Sequence, residues 1–127
     1  MSGEFKPVAY LKDSCPFCFK LVMFMAEAGL MDQIELITID GNNDEEMNKY
    51  RELLQQKTGA AASFPTVELA PGEFSSDSEG LIAHFAEKNG VDVNSLPGLA
   101  YYKANLFPAY IARFKELKAL KEQMASL

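Results

Sequence analysis

LKDSCPFCFK, residues Leu11 to Lys20, holds both cysteines of a 127-residue chain, Cys15 and Cys18, with a proline directly after the first. The apolar run KPVAYL, Lys6–Leu11, precedes it and reads as a strand. PFCFKLVMFMAEAG, Pro16–Gly29, follows with apolar residues all round one long turn pattern and a closing glycine, and reads as a mostly buried helix. Cys15 then falls at the N-cap. Pro16 falls at the first helical position, where its missing N–H is lost to no partner and its φ is already helical. Free amides at the helix start, the positive helix end and the Lys12 ammonium all favour a thiolate at Cys15. Cysteines so placed have pKa values of about 3.5 to 7.5, against about 8.5 unperturbed. Cys18, one turn further in, lies within disulfide reach and is expected to be less exposed. The pair therefore divides into an attacking thiol, Cys15, and a resolving one, Cys18.

Outward from this stretch the elements alternate. Ile34–Ile39 is β-branched and bounded by Asp40–Gly41, so it reads as a strand. A helix is expected from about Glu45 to Lys57, capped by Asp44 and stopped by Thr58–Gly59. Thr66–Ala70, a turn at Pro71–Gly72 and Glu73–Phe74 form a hairpin. Ser78–Asn89 is a further helix ended by Gly90. The order βαβαββα implies an α/β fold, with the first two strands parallel through a right-handed crossover. Residues 1–90 are expected to form this unit and residues 91–127 a C-terminal helical extension packed on the same domain. In the extension, Phe107, Ile111, Phe114, Leu117, Leu120 and Met124 recur at helical spacing opposite Lys115, Glu116, Lys118 and Glu122. Pro108 is expected to start or kink a helix. The stripe is read first as completing the core against the sheet, with a substrate wall or dimer face as the alternative.

Composition narrows the function. Hydrophobic residues make up 48% of the chain, enough for a core in one domain. The formal charge of −6 opposes binding to a phosphate backbone, so no nucleic-acid partner is expected. Lys20 and Glu27 break the longest apolar run, so no membrane span is expected. The N-terminus MSGEFKPVAY lacks a signal-peptide pattern. The expected location is the cytoplasm, where a disulfide scaffold is disfavoured. As half of a zinc site, the cysteines would need His84 and a carboxylate. Cys and His number three in all, short of the usual four ligands, so no metal is expected.

KDSCPFC resembles the active-site stretch of dithiol glutaredoxins, in which a lysine precedes C-P-aromatic-C. TGAAASFPTVEL, Thr58–Leu69, resembles that family's loop into a cis-proline strand, with Pro65 as the proline. SSDSEGLIAHF, Ser75–Phe85, resembles the helix start that holds the γ-glutamyl end of glutathione. Its Asp-Ser followed by Leu-Ile is more similar to glutathione-transferase N-terminal domains and the glutaredoxins related to them. The resemblance covers roughly residues 6 to 89 and implies a thioredoxin-like fold with a C-terminal helical extension.

What it implies for the site is specific. Glutathione would be reductant and co-substrate, and glutathionylated or disulfide-containing proteins would be the partners. Cys15, Cys18, Lys12 and Pro16 would form the catalytic stretch. A cis Phe64–Pro65 bond would aim the Phe64 backbone at the tripeptide as an added strand. Asp77 would hold its ammonium, and Ser78 with the helix-start amides its α-carboxylate. Lys12 would pair with the glycine carboxylate, while Tyr10 and Phe17 would wall the site. Plainer readings stand beside these. Asp77 and Ser78 also suit helix capping, Ser76 with Glu79 fits a capping box, Lys12 suits a solvated loop, and Phe17 and Phe64 suit packing. His84 reads as structural or surface.

Two departures from the family bear on the glycine-carboxylate end: Ala60–Ala62 stands where small members often carry a basic residue, and Phe64 replaces a valine. Two other functions fit the same motifs less well. A truncated glutathione-transferase-like enzyme has no use for Cys18, and a glutathione-ligated iron–sulfur module is disfavoured by Pro16.

Overall fold

The strand ahead of the cysteines starts two residues later and ends one later than the sequence suggests, as β1, Val8–Lys12, so Lys12 is the last strand residue rather than a loop charge. The computed structural model describes residues 5–127; residues 1–4, which begin the N-terminus read above, lie outside them. Helix α1, Pro16–Glu27, follows with Cys15 as N-cap. Then come β2, Glu35–Ile39; α2, Asp44–Thr58; β3, Thr66–Ala70; β4, Glu73–Ser75; and α3, Ser78–Asn89. Asn43, not Asp44, caps α2, its side-chain oxygen accepting from the Glu46 amide at 3.1 Å. Asp44 instead opens the helix, where its charge suits the positive end.

The sheet order is β2-β1-β3-β4, with β1 parallel to β2 and antiparallel to β3. Alternation along β1 divides the interior in two. Ala9 and Leu11 join Leu21 and Phe24 of α1, Val67 of β3 and Phe85 of α3 on one face. Tyr10 turns to the other, packing with Ile39, Met47 and Leu54. Thr66 ties the start of β3 to the segment linking β4 to α3, its Oγ1 lying 2.6 Å from the Ser63 carbonyl and 2.7 Å from Ser76 Oγ. That bond occupies Ser76, and Glu79 is engaged elsewhere, so the expected capping box does not form.

The extension starts on a carboxylate. Glu27, at the end of α1, accepts the amides of Gly98 and Leu99 at 2.7 and 2.8 Å, capping the short helix α4, Pro97–Tyr101. A π turn, Tyr102–Leu106, leads into α5, Phe107–Ala125. The π turn has a local cause. Pro108 has no N–H to offer and its ring crowds the preceding turn, and the Phe107 amide reaches back five residues to the Tyr102 carbonyl. Leu99 and Tyr102 are buried, but no residue of α5 is. The stripe Phe114, Leu117, Leu120 and Met124 is exposed. The expectation that it completes the core on the sheet is therefore not met. The attachment runs to α1 instead, and ends within α5's first turns.

Lys20 makes that attachment. Although charged, it is only 3% exposed. Its ammonium lies 3.0 Å from Glu79 Oε1 and over the Phe107 ring, 4.6 Å from the centroid. Phe107 in turn meets Phe17 edge-on at 5.2 Å. Lys103 adds a second cation 3.5 Å from the same Glu79 oxygen. Burial alone would push the Glu79 carboxyl up, but the hydrogen bonds and charges of Lys20 and Lys103 outweigh it and hold it below the ordinary value. Only Lys20 of this pair is buried, so removing Glu79 strands a buried cation, whereas replacing that cation by an apolar chain need not destabilise. Glu79→Ala is expected to lower the unfolding free energy by about 1–3 kcal/mol, and adding Lys20→Met to recover part of it. Urea unfolding of the two variants measures both.

Candidate functional site

The β1–α1 turn presents Cys15 through two backbone choices. Ser14 holds φ at 57°, a left-handed conformation uncommon outside glycine. Pro16 then fixes the first helical residue. Between them Cys15 is extended, half-buried, and turned so that its sulfur faces the open helix end. Gly41 packs tightly beneath: a Cβ there would lie 2.8 Å from Lys12 Cε and 2.9 Å from Asp13 Oδ1. Its amide donates to Asp13 Oδ1 at 2.8 Å, which fixes the turn from below.

The sulfur is surrounded by donors. The Cys18 amide donates to Cys15 Sγ at 3.4 Å. The Cys15 pKa is lowered to about 6, the side chain of Cys18 contributing most. Burial opposes the shift; the Cys18 and Phe17 amides and the Lys12 charge reinforce it. Cys18 moves the opposite way: donating to Cys15 and being buried both push its own thiol up. One sulfur is thus an anion at neutral pH and its neighbour holds a proton. The Phe64 carbonyl lies 3.8 Å from Cys15 Sγ, a hydrogen bond only while Cys15 is protonated. The Phe64–Pro65 peptide bond is cis.

The expected site residues divide accordingly. Cys15, Cys18, Pro16, Lys12 and the Phe64–Pro65 backbone converge. Asp77 is the N-cap of α3 but makes no side-chain capping bond, and its carboxylate lies over Gly80, where a Cβ would come within 2.8 Å of it. Ser78 is buried in the first turn of α3. Strand alternation turns Tyr10 toward α2, its ring 6.2 Å from that of Tyr50, in the cluster against which Phe64 also packs. Phe17 is exposed at the start of α1, its ring edge-on to that of Phe107. His84 is exposed on α3, edge-on to Phe85.

Two residues missed by sequence reasoning reach the turn from the extension. Tyr102 donates its hydroxyl to the Pro16 carbonyl at 2.7 Å, and Tyr110 donates to the Ser14 carbonyl at 2.8 Å. Nothing in the local sequence marks either, since tyrosine on an amphipathic helix reads as packing. Among the described residues no group of three or more His, Cys, Asp or Glu side chains is placed to hold a metal, and no helix is long and apolar enough to cross a membrane.

No family model matches the chain, and no curated protein matches it. Solved structures do. A possible glutathione S-transferase from Rhodopseudomonas palustris aligns at TM-score 0.54 and 14% identity, over 96% of this chain and 71% of that one. Oxidized glutaredoxin 2 from Chlamydomonas reinhardtii aligns at 0.48 and 23% identity, over 72% of this chain and 78% of that one. Glutathione transferase Omega 1C from Trametes versicolor aligns at 0.49 and 20% identity, over 66% of this chain and 37% of that one. The Rhodopseudomonas match, together with the sheet order, establishes the α/β thioredoxin-like fold with its C-terminal helical extension.

The thiolate assignment has a direct readout. Alkylation of Cys15 by iodoacetamide should rise with pH through a midpoint near 6 and then level off, because the thiolate is the reacting form. Cys18→Ala removes the strongest stabilising donor and should move that midpoint upward. A midpoint unchanged by Cys18→Ala would leave the pairing of the two sulfurs without effect.

Proposed function

We propose that the protein is a glutathione-dependent thiol–disulfide oxidoreductase of the glutaredoxin type, acting on protein–glutathione mixed disulfides and protein disulfides. The observation that carries this reading is the unequal placement of two neighbouring sulfurs: Cys15 half-buried at the N-cap of α1, accepting from the Cys18 amide at 3.4 Å, and Cys18 buried one turn further in, which together favour a thiolate at Cys15 and a thiol at Cys18. Thiol–disulfide exchange needs an attacking thiolate and, for dithiol chemistry, a resolving thiol held in reserve.

In the proposed cycle the Cys15 thiolate attacks the glutathionyl sulfur of a mixed disulfide. The protein thiolate leaves with the electron pair and takes a proton from solvent. A second glutathione thiolate attacks Cys15–S–S–glutathione, releasing oxidised glutathione and restoring Cys15. For a protein disulfide, Cys18 attacks the mixed disulfide on Cys15, and two glutathiones later reduce the Cys15–Cys18 bond. Several features support glutathione as the partner. The backbone at Phe64 offers an edge for the peptide. The Asp77 carboxylate makes no capping bond, which suits an ammonium; Ser78 opens α3 where a carboxylate is favoured; and the Lys12 charge acts at Cys15. The fold is shared with proteins whose activities differ, so the site rather than the fold carries the assignment.

The test is glutathione-coupled reduction of a glutathionylated peptide. Cys15→Ser should show no turnover above the uncatalysed rate, while Cys18→Ser retains substantial activity, since the monothiol route bypasses it. Asp77→Asn should raise the KM for glutathione about fivefold with kcat little changed, as expected when one charge-assisted bond is weakened. Conjugation of glutathione to an aryl halide without disulfide reduction would replace this reading with a transferase one.

A further inference from the structure

A cavity of about 410 Å³ opens beside Cys15, between the Leu11–Cys18 stretch and the extension, with Lys12 on its rim. Neither Phe64, Pro65, Asp77 nor Ser78 lines it. Its inner wall is Phe19 and Val22 of α1 with Thr38 of β2, and its outer wall is Tyr102, Leu106 and Tyr110 of the extension. The volume falls in the range of ligand pockets, about 300–1,000 Å³.

The chemistry of the walls selects the occupant. Both tyrosine hydroxyls donate to backbone carbonyls of the Ser14–Pro16 turn, so their rings face the space with their donors already committed. Asp13 is engaged with the Gly41 amide. Lys12 is at the sulfur end, where its charge acts on Cys15. A tripeptide with two carboxylates and an ammonium gains little in such a space, whereas an aromatic or branched aliphatic group loses only its contact with water. Cys15 itself lines the cavity, so a group seated there has its sulfur at the nucleophile.

We propose that this cavity receives the apolar substituent R of a low-molecular-weight disulfide R–S–S–R that Cys15 attacks. This rests on the reading of Cys15 as a disulfide-exchanging nucleophile, but not on the groove for glutathione. The Cys15–S–S–R bond forms as the substrate S–S bond breaks, and the electron pair leaves on R–S⁻. Cys18 then attacks the Cys15 sulfur and expels the second R–S⁻. Its proton goes to a departing thiolate, so two electrons pass from the protein dithiol to the substrate.

The experiment measures second-order rates of the reduced protein with an aromatic probe, 2,2′-dithiodipyridine, and a polar one, bis(2-hydroxyethyl) disulfide. Each rate is divided by that of N-acetylcysteine thiolate with the same probe, which removes intrinsic reactivity. The normalised aromatic rate should exceed the polar one about tenfold, as burial of one ring predicts. Leu106→Gln, which makes the exposed wall polar, and Thr38→Phe, which fills the space from the exposed edge strand, should each collapse that ratio. Leu120→Gln, on the same extension but away from the cavity, should not. Equal normalised rates in the wild type, or a ratio insensitive to both wall variants, would overturn the cavity proposal while leaving Cys15 a competent nucleophile. Failure of both probes with a protein whose thiols titrate as free would overturn the nucleophile reading, and this proposal with it.

Discussion

The unequal placement of the two neighbouring sulfurs is the constraint on which the site depends, with the Cys18 amide donating to Cys15 Sγ at 3.4 Å. Cys15 is half-buried at an open helix end, where amides already point outward. Cys18 is buried among Leu11 and Leu21. The negative charge therefore has a clear preference: desolvation penalises an anion at Cys18, while the helix start rewards one at Cys15. The turn geometry makes this possible. Ser14 in the left-handed region and Pro16 at the first helical position leave Cys15 no alternative but the cap.

The extension is built around the same turn. Glu27 sets where it leaves α1, the cage around Lys20 sets its height, and two tyrosines fasten it to the carbonyls flanking Cys15. The burial of Tyr102 also raises its hydroxyl pKa, reinforced by the charge on Cys15. That hydroxyl therefore stays a donor at the pH where the thiolate forms. Helix packing, charge burial and thiol chemistry meet within one turn of α1.

The α/β core was legible because its signals are local. Cys-Pro after an apolar run places a cap; glycines at 59 and 90 adopt the left-handed caps their positions suggest; and the β-branched run into Asp40–Gly41 marks β2. The reading of the motif stretches placed Cys15, Cys18, Lys12 and the Phe64–Pro65 backbone together. The face that Tyr10 takes is decided by strand parity, not by proximity along the chain. The contact of Phe17 with Phe107 was not legible, because the two lie far apart in the sequence. The amphipathic stripe of α5 showed a helix but not its neighbour, and the structure leaves that stripe uncovered. Lys20 was invisible as an anchor, since a lysine in an apolar helix reads as an interruption until its carboxylate is found 59 positions on.

The π turn has a geometric effect of its own. Along a regular helix, residues eight apart such as Tyr102 and Tyr110 would point roughly 80° apart. The wider turn at Tyr102–Leu106 absorbs about one residue, which brings the two rings to nearly one azimuth. Only then can their hydroxyls land on carbonyls two positions apart in the opposing loop. A single surplus residue, accommodated by a proline that blocks the tighter winding, thus works as a phase corrector between a helix and a loop whose natural repeats do not match.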